Sequence, residues 1–235
     1  MPLRVADDVF ALFPGLVVGV VTAGGVRNSS GDESITAMLR DEEARLRSTI
    51  GSVSITEHPR VAPWREAYRA FGAKPKDNPS SIENLIRRVT RGGSLPSINT
   101  LVDLYNVISL RHLLPAGGED LDQIRGEIIL TRAGAAEAPV RLLGEADERP
   151  PHPGEVIYRD EVGAICRRLN WKEADRTRLT PETRNAVLVI EGIPPISAAE
   201  VRSAVTDLAH LITAYCGGEV SAELITASGR EVLLT

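Results

Sequence analysis

The feature that most constrains this chain is a switch of hydrophobic period at Pro115-Ala116-Gly117-Gly118. Before it, apolar residues recur mainly at helical spacing. After it they gather in short runs rich in Val, Ile and Leu, divided by Gly and Pro. Helices early and strands late, without alternation of strand and helix, exclude a doubly wound parallel sheet. They predict an α+β fold with a mixed or antiparallel sheet flanked by helices.

Along the chain, Phe13 to Val21 reads as a buried strand, Thr22 to Gly31 as a loop and Asp32 to Ile50 as a charged helix. Pro63-Trp64 opens a helix that runs to about Phe71-Gly72, and Lys74 to Pro79 forms a turn. Ser80 or Ser81 caps a helix over Ile82 to Thr90, stopped by Gly92-Gly93, and a further helix runs from Pro96 to about Leu110. Strands are expected at Glu127 to Arg132, Val140 to Leu143, Glu155 to Tyr158, Gly163 to Leu169 and Asn185 to Ile190. Ser197 to Tyr215 is an amphipathic helix ended by Gly217-Gly218. A last strand pair covers Val220 to Ile225 and Glu231 to Leu234. The whole reads as one unit over residues 1–235, with its core at about 60–225 and 115–125 as the place where two subdomains would meet.

Composition narrows the class. Aromatic residues make up only 4% of the chain, so Ile, Leu, Val and Ala must supply most of the core. No apolar run approaches the roughly 18 residues of a membrane span. The start, Met1 to Asp8, carries acids where a signal peptide has bases and an apolar run, which leads to a cytoplasmic expectation.

Cys166 and Cys216 form no metal-ligand pattern, and His58, His112, His152 and His210 are scattered, so neither a metal nor another cofactor is expected. Dinucleotide, phosphate-loop and serine-elbow signatures are missing; Gly24-Gly25 reads as a turn. Cys166, inside an apolar strand, reads as a packed thiol. The net charge of −5 is uneven: Arg60, Arg65, Arg69, Lys74, Lys76, Arg87, Arg88 and Arg91 face only Glu66, Asp77 and Glu83. That excess is either a local phosphate-binding face or a solvated helical face.

Four blocks take the reading further. They are Trp64 to Gly72, Pro79 to Arg88, Leu95 to Leu110 continuing at Asp120 to Gly126, and Gly154 to Asp160 leading into Cys166-Arg167-Arg168-Leu169-Asn170-Trp171 and Arg176-Thr177. In order and spacing this set, over roughly residues 60–195, resembles the free-standing B3/B4 tRNA-binding domain proteins, relatives of the editing domain in the phenylalanyl-tRNA synthetase beta subunit. The resemblance implies tRNA or aminoacyl-tRNA as partner and hydrolysis of mischarged aminoacyl-tRNA in trans. The alternative is a non-catalytic module that binds tRNA or a small ligand. The chain is too short to be a synthetase by itself and lacks an ATP-binding signature.

By the same resemblance Asn106 leads the catalytic candidates, its amide suited to bind a carbonyl, hydroxyl or water, or else to tie the helix to a loop. Gly117 and Gly118 would let backbone N–H groups approach a ligand as oxyanion donors, or form a turn. Arg167 is the remaining catalytic candidate. Glu119, Asp120, Arg168 and Trp171 are the substrate-binding candidates, and Arg65, Arg69, Arg87 and Arg88 the RNA-binding ones. Alternation along a strand would turn one of Arg167 and Arg168 into the pocket and the other away. Trp64 reads as core. The family's His-containing loop is replaced here by Leu113 to Asp120, and its glutamate-bearing glycine loop by Cys166 to Trp171, so its tyrosine-rejecting specificity does not carry over.

Overall fold

The computed structural model describes residues 1–51 and 54–234. Strand β1 (Pro2–Val5) and helix α1 (Asp7–Leu12) precede β2 (Val17–Gly24). Four helices follow: α2 (Glu33–Thr49), α3 (Ala62–Ala70), α4 (Ser81–Thr90) and α5 (Thr100–His112). Next come β3 (Ala116–Asp120), β4 (Ile128–Arg132), β5 (Val140–Arg141), β6 (Glu148–Arg149), β7 (Val156–Arg159), β8 (Ala164–Arg167), β9 (Lys172–Glu173) and β10 (Ala186–Gly192). Helix α6 (Ala198–Cys216), β11 (Glu219–Ile225) and β12 (Glu231–Leu233) complete the order.

The expected α+β class holds. A six-stranded sheet runs β12-β1-β4-β7-β8-β9, a four-stranded sheet runs β11-β2-β10-β3, and β5 with β6 makes a small ribbon. Among the described pairs only β1 with β4 is parallel. The two main sheets enclose the larger core, and β2 and β10 are buried on both faces. Val18 and Val20 of β2 and Val187 of β10 point into that core. Val17, Val21, Leu188 and Ile190 point into a second core beneath α6. Gly19 lets α6 lie close on the sheet: a Cβ there would stand 2.4 Å from Val205 Cγ1 and 2.8 Å from Val201 Cγ1.

Capping residues set most helix starts. Asp32 accepts from the Ser34 and Ile35 N–H groups. Ser80 accepts from the Glu83 N–H group. Ser197 and Glu200 form a reciprocal capping box.

Several expectations need correction. The strand expected over Phe13 to Val21 begins at Val17, because Phe13 closes α1, and it continues through the stretch read as loop to Gly24. The helix expected from Pro96 begins at Thr100: Asn99 caps it, while Asp103 holds the Ser97 hydroxyl and the Ile98 N–H in extended chain. The strand expected over Gly163 to Leu169 stops at Arg167, because Arg168 and Leu169 turn left-handed with φ of 51° and 65°. The strand expected over Val140 to Leu143 shortens to Val140–Arg141. The final two strands do not pair along their length; β11 joins the four-stranded sheet and β12 the six-stranded one. The glycine-rich break at 116–120 is itself a strand, since β10 supplies its hydrogen-bond partners.

Candidate functional site

Between the two sheets lies a cleft of about 210 Å³. Its floor is one face of the four-stranded sheet. The pairing of β3 with β10 sets Glu119 opposite Val187 and Gly117 opposite Val189, with Glu191 two residues further along β10 on the same face. Leu3, Ile128, Tyr158 and Ile165 of the six-stranded sheet form the facing wall, Leu85 of α4 and Tyr105 and Asn106 of α5 another, and the 169–171 turn with β9 closes the side. Most of the lining is apolar, and the polar atoms are concentrated at a few points.

Those points are chiefly carboxyls. Gly117 has no side chain, and the space a Cβ would take is filled by Glu173 Oε1, 2.5 Å from that position. The same oxygen accepts the Gly118 N–H at 2.9 Å, at the open edge of β3. Burial pushes the Glu173 carboxyl up to about 7, the Gly118 N–H opposing. Burial likewise raises Glu191 to about 8, opposed by the hydroxyl of Tyr158, which donates to its Oε1 at 2.9 Å. Glu119 is raised well above the ordinary carboxylate range by burial and by the neighbouring Glu173. At neutral pH Glu191 is therefore largely protonated and Glu173 about half so, and a neutral carboxyl can donate as well as accept. The buried atoms Glu119 Oε2, Glu191 Oε2 and Asn170 Nδ2 have no hydrogen-bond partner among the described residues. Asn170 Oδ1 is engaged, accepting from Tyr68 Oη at 2.9 Å.

Of the catalytic candidates, Asn106, Gly117 and Gly118 line this cleft, as do the substrate candidates Glu119 and Trp171. Gly118 is not a free donor, since its N–H is given to Glu173. Arg167 lies outside the lining. It is buried and forms a two-pronged pair with Glu155, at 2.8 Å from Nε and 2.7 Å from Nη2, because alternation along β8 turns Cys166 inward and Arg167 away. Arg168 is outside too: the left-handed turn lays its guanidinium over the outer face of Trp171, 4.3 Å from the ring centroid. The pocket with arginines is thus corrected to a pocket with carboxyls. Asp120 also points elsewhere, bonding the Thr183 hydroxyl at 2.6 Å and the Asp122 N–H at 3.0 Å. Cys166 packs into the wall with its thiol raised well above its ordinary range, chiefly by burial.

The four RNA-binding candidates divide. Arg65 and Arg87 both clamp Glu83 Oε1, at 2.7 and 2.6 Å, and Glu83 is fully buried. They serve the junction of α3 and α4. Arg69 pairs with Glu66 on the surface. Arg88 is exposed; its Nε donates to the Ser94 carbonyl at 2.7 Å, and no carboxylate among the described residues pairs with it.

The sequence reading missed Glu173, Glu191 and Asn170 as site residues. Glu191 carried a signal, an acid embedded in the apolar run Ala186–Gly192. Nothing in the sequence around Glu173 distinguishes it from a surface acid.

Among the described residues, no helix is long and apolar enough to cross a membrane. The model of a family described as the B3/4 domain matches residues 63–217. A phenylalanine-tRNA ligase beta subunit of Leifsonia xyli subsp. xyli is 30% identical over 115 residues, 49% of this chain and 13% of the relative. One from Cutibacterium acnes is 29% identical over 112 residues, 48% of this chain and again 13% of the relative. The chain therefore aligns with a small part of each relative. Among solved structures, an N-terminal fragment of the phenylalanyl-tRNA synthetase beta subunit from Pyrococcus horikoshii aligns with 93% of this chain and 49% of its own. Its TM-score is 0.48 and its identity 14%.

Proposed function

The chain belongs to the B3/4 domain family, and on that footing we propose that it hydrolyses mischarged aminoacyl-tRNA in trans. The tRNA part of the reading is supported by the relatives, which are phenylalanine-tRNA ligase beta subunits. The hydrolytic part is carried by one observation. The cleft is of amino-acid size, and half-buried Asn106 lines it.

In this reading the acyl group enters the space between the sheets and the ester carbonyl accepts from an amide N–H of Asn106 or Asn170. Glu191, largely protonated at neutral pH, can donate to developing negative charge, while Glu173, at about 7, is about half ionised there and can either donate or accept a proton from the attacking water. A positioned water attacks, and the free hydroxyl of the terminal ribose assists it, so no triad is required. Arg88, Lys74, Lys76 and Arg91 are the exposed bases left on the basic stretch to meet tRNA phosphates.

The test is release of the amino acid from a panel of mischarged tRNAs. Asn106→Ala should slow release by about ten- to a thousand-fold, a loss of roughly 1.4–4 kcal/mol of transition-state stabilisation. Cys166→Ser should leave most of the rate. No hydrolysis above the protein-free control, with tRNA still bound, would replace this reading with that of a non-catalytic module. One observation favours the latter: the Gly118 N–H, the expected oxyanion donor, is already bonded.

A further inference from the structure

We infer that the cleft is a receptor for a protonated primary amine carried on an apolar body of amino-acid size, the ammonium group lying among Glu119, Glu173 and Glu191. This deepens the reading above by naming what the site holds, and it rests on that reading only for the choice of cleft.

The argument begins with register. Glu119 and Gly117 share a face of β3, and two residues along a strand span about 7 Å. The carboxyl of Glu173 occupies the place of the missing Gly117 side chain. Glu191 lies a further two residues past Val189, the partner of Gly117. Three carboxyls are thus strung along one apolar floor with Glu173 in the middle, brought there by three different strands. Hydrophobic packing does not need them, and burying them is costly.

Second, the cluster is unfinished. Glu119 is 7% exposed, Glu191 1% and Asn170 8%, and each lines the cleft with a buried polar atom that has no partner within ordinary hydrogen-bond geometry among the described residues, although Thr177 lies near enough to Glu119, and Asn170 to Glu191, to oppose the rise of each carboxyl. Such atoms each cost stability unless a ligand completes them. The sole cation among the described lining residues is Lys172, and its Nζ is held by Glu145 at 2.8 Å. Arg167 and Arg168, the nearest guanidinium groups in sequence, lie outside the lining, the first bonded to buried Glu155 and the second stacked on Trp171. An anionic ligand would meet three carboxyls and no free positive charge.

Third, the other titratable groups facing the cluster do not change charge near neutrality. Tyr105 of α5, Tyr158 of β7 and Cys166 of β8 are all raised by burial and stay neutral. Only the carboxyls respond, and an arriving ammonium lets one or more of them ionise, so binding releases protons. The apolar walls take the remainder of the ligand.

The probe is leucinol, an amine that stays protonated over the working range, compared with N-acetylleucinol, which has the same body without the charge. Binding is followed by calorimetry in buffers of different ionisation enthalpy at about pH 6 and about pH 7.5. Leucinol should bind in the millimolar range or tighter, more tightly at the higher pH and with proton release, and N-acetylleucinol should fail to bind. Glu173→Gln and Glu191→Gln copy the neutral carboxyl and should keep the fold, checked by thermal melting. Each should weaken leucinol by about ten- to a hundred-fold and flatten its pH dependence. Equal binding of the acetylated compound, no saturable leucinol binding, or unchanged affinity in folded Gln variants overturns the inference. Loss of deacylation with leucinol binding intact would instead overturn the hydrolytic reading alone.

Discussion

Raising the pH from about 5 to about 9 should destabilise this protein, and the buried carboxyls set the size of the effect. Glu173 goes from its ordinary 4.5 to about 7 on folding and Glu191 from 4.5 to about 8. Folded protein therefore binds more protons than unfolded chain between these values, and stability falls as pH rises through them; Glu119, raised by burial and by Glu173, acts in the same sense. At about 1.4 kcal/mol for each tenfold change in proton affinity, the ceilings are about 3 kcal/mol for Glu173 and about 5 kcal/mol for Glu191. The charge on Glu173 is itself one cause of the rise in Glu191, so the two overlap. Water entering the cleft on ionisation screens both, which leaves an expected fall of about 2–4 kcal/mol. His58 acts in the opposite sense, since burial lowers it, but its contribution is complete by about pH 6.5. The assay is urea unfolding at steps of pH across this range, for the wild type and for Glu191→Gln. The variant keeps an acceptor for the Tyr158 hydroxyl and should lose about half of the slope. A stability that is flat or rising from about pH 6.5 to about pH 9 would refute the claim that these carboxyls are buried in neutral form.

Three further outcomes follow from the packing and the charges. Gly19→Ala should cost about 1–3 kcal/mol in unfolding free energy, because its Cβ would collide with Val201 and Val205 and force α6 off the sheet; an unchanged denaturation midpoint would show that α6 gives way freely. Arg88→Ala should reduce the salt dependence of tRNA binding by about one unit of log–log slope and leave the melting temperature unchanged. Arg87→Ala should instead lower stability by about 1–3 kcal/mol, since it strips buried Glu83 of a partner. The reverse assignment would mean that the clamp at Glu83 is not structural.

What the sequence made legible was local. Asp32, Ser80 and Ser197 announce their helices because capping is a contact between near neighbours. The strands at 128–132 and 186–192 announce themselves through β-branched runs. Strand β3 was opaque because Ala-Gly-Gly carries turn chemistry, and only β10, about seventy residues away, makes it a strand. The site divides in the same way. Asn106 and Glu119 were reached through a family pattern. Arg167 was misplaced because the phase of alternation along β8 is set by which side chain enters the core, and the core takes Cys166. Glu173 escaped notice because its role depends on a hole left by a glycine on another strand.

The position of the cleft between two sheets has a consequence for how occupancy would be felt. Its surfaces come from Leu3, Ile128, Ile165 and Val187, residues spread over most of the chain, and β11 and β12 tie one sheet to the other through the short Thr226–Gly229 turn. A cleft of this kind has no half-folded form. An occupant binds only the complete molecule, so its free energy of binding is added to the cooperative unfolding of the whole rather than to one lid or loop. Amide exchange in β1, β4 and β10 should then slow together when the cleft is filled, as one unit, although those strands belong to different sheets.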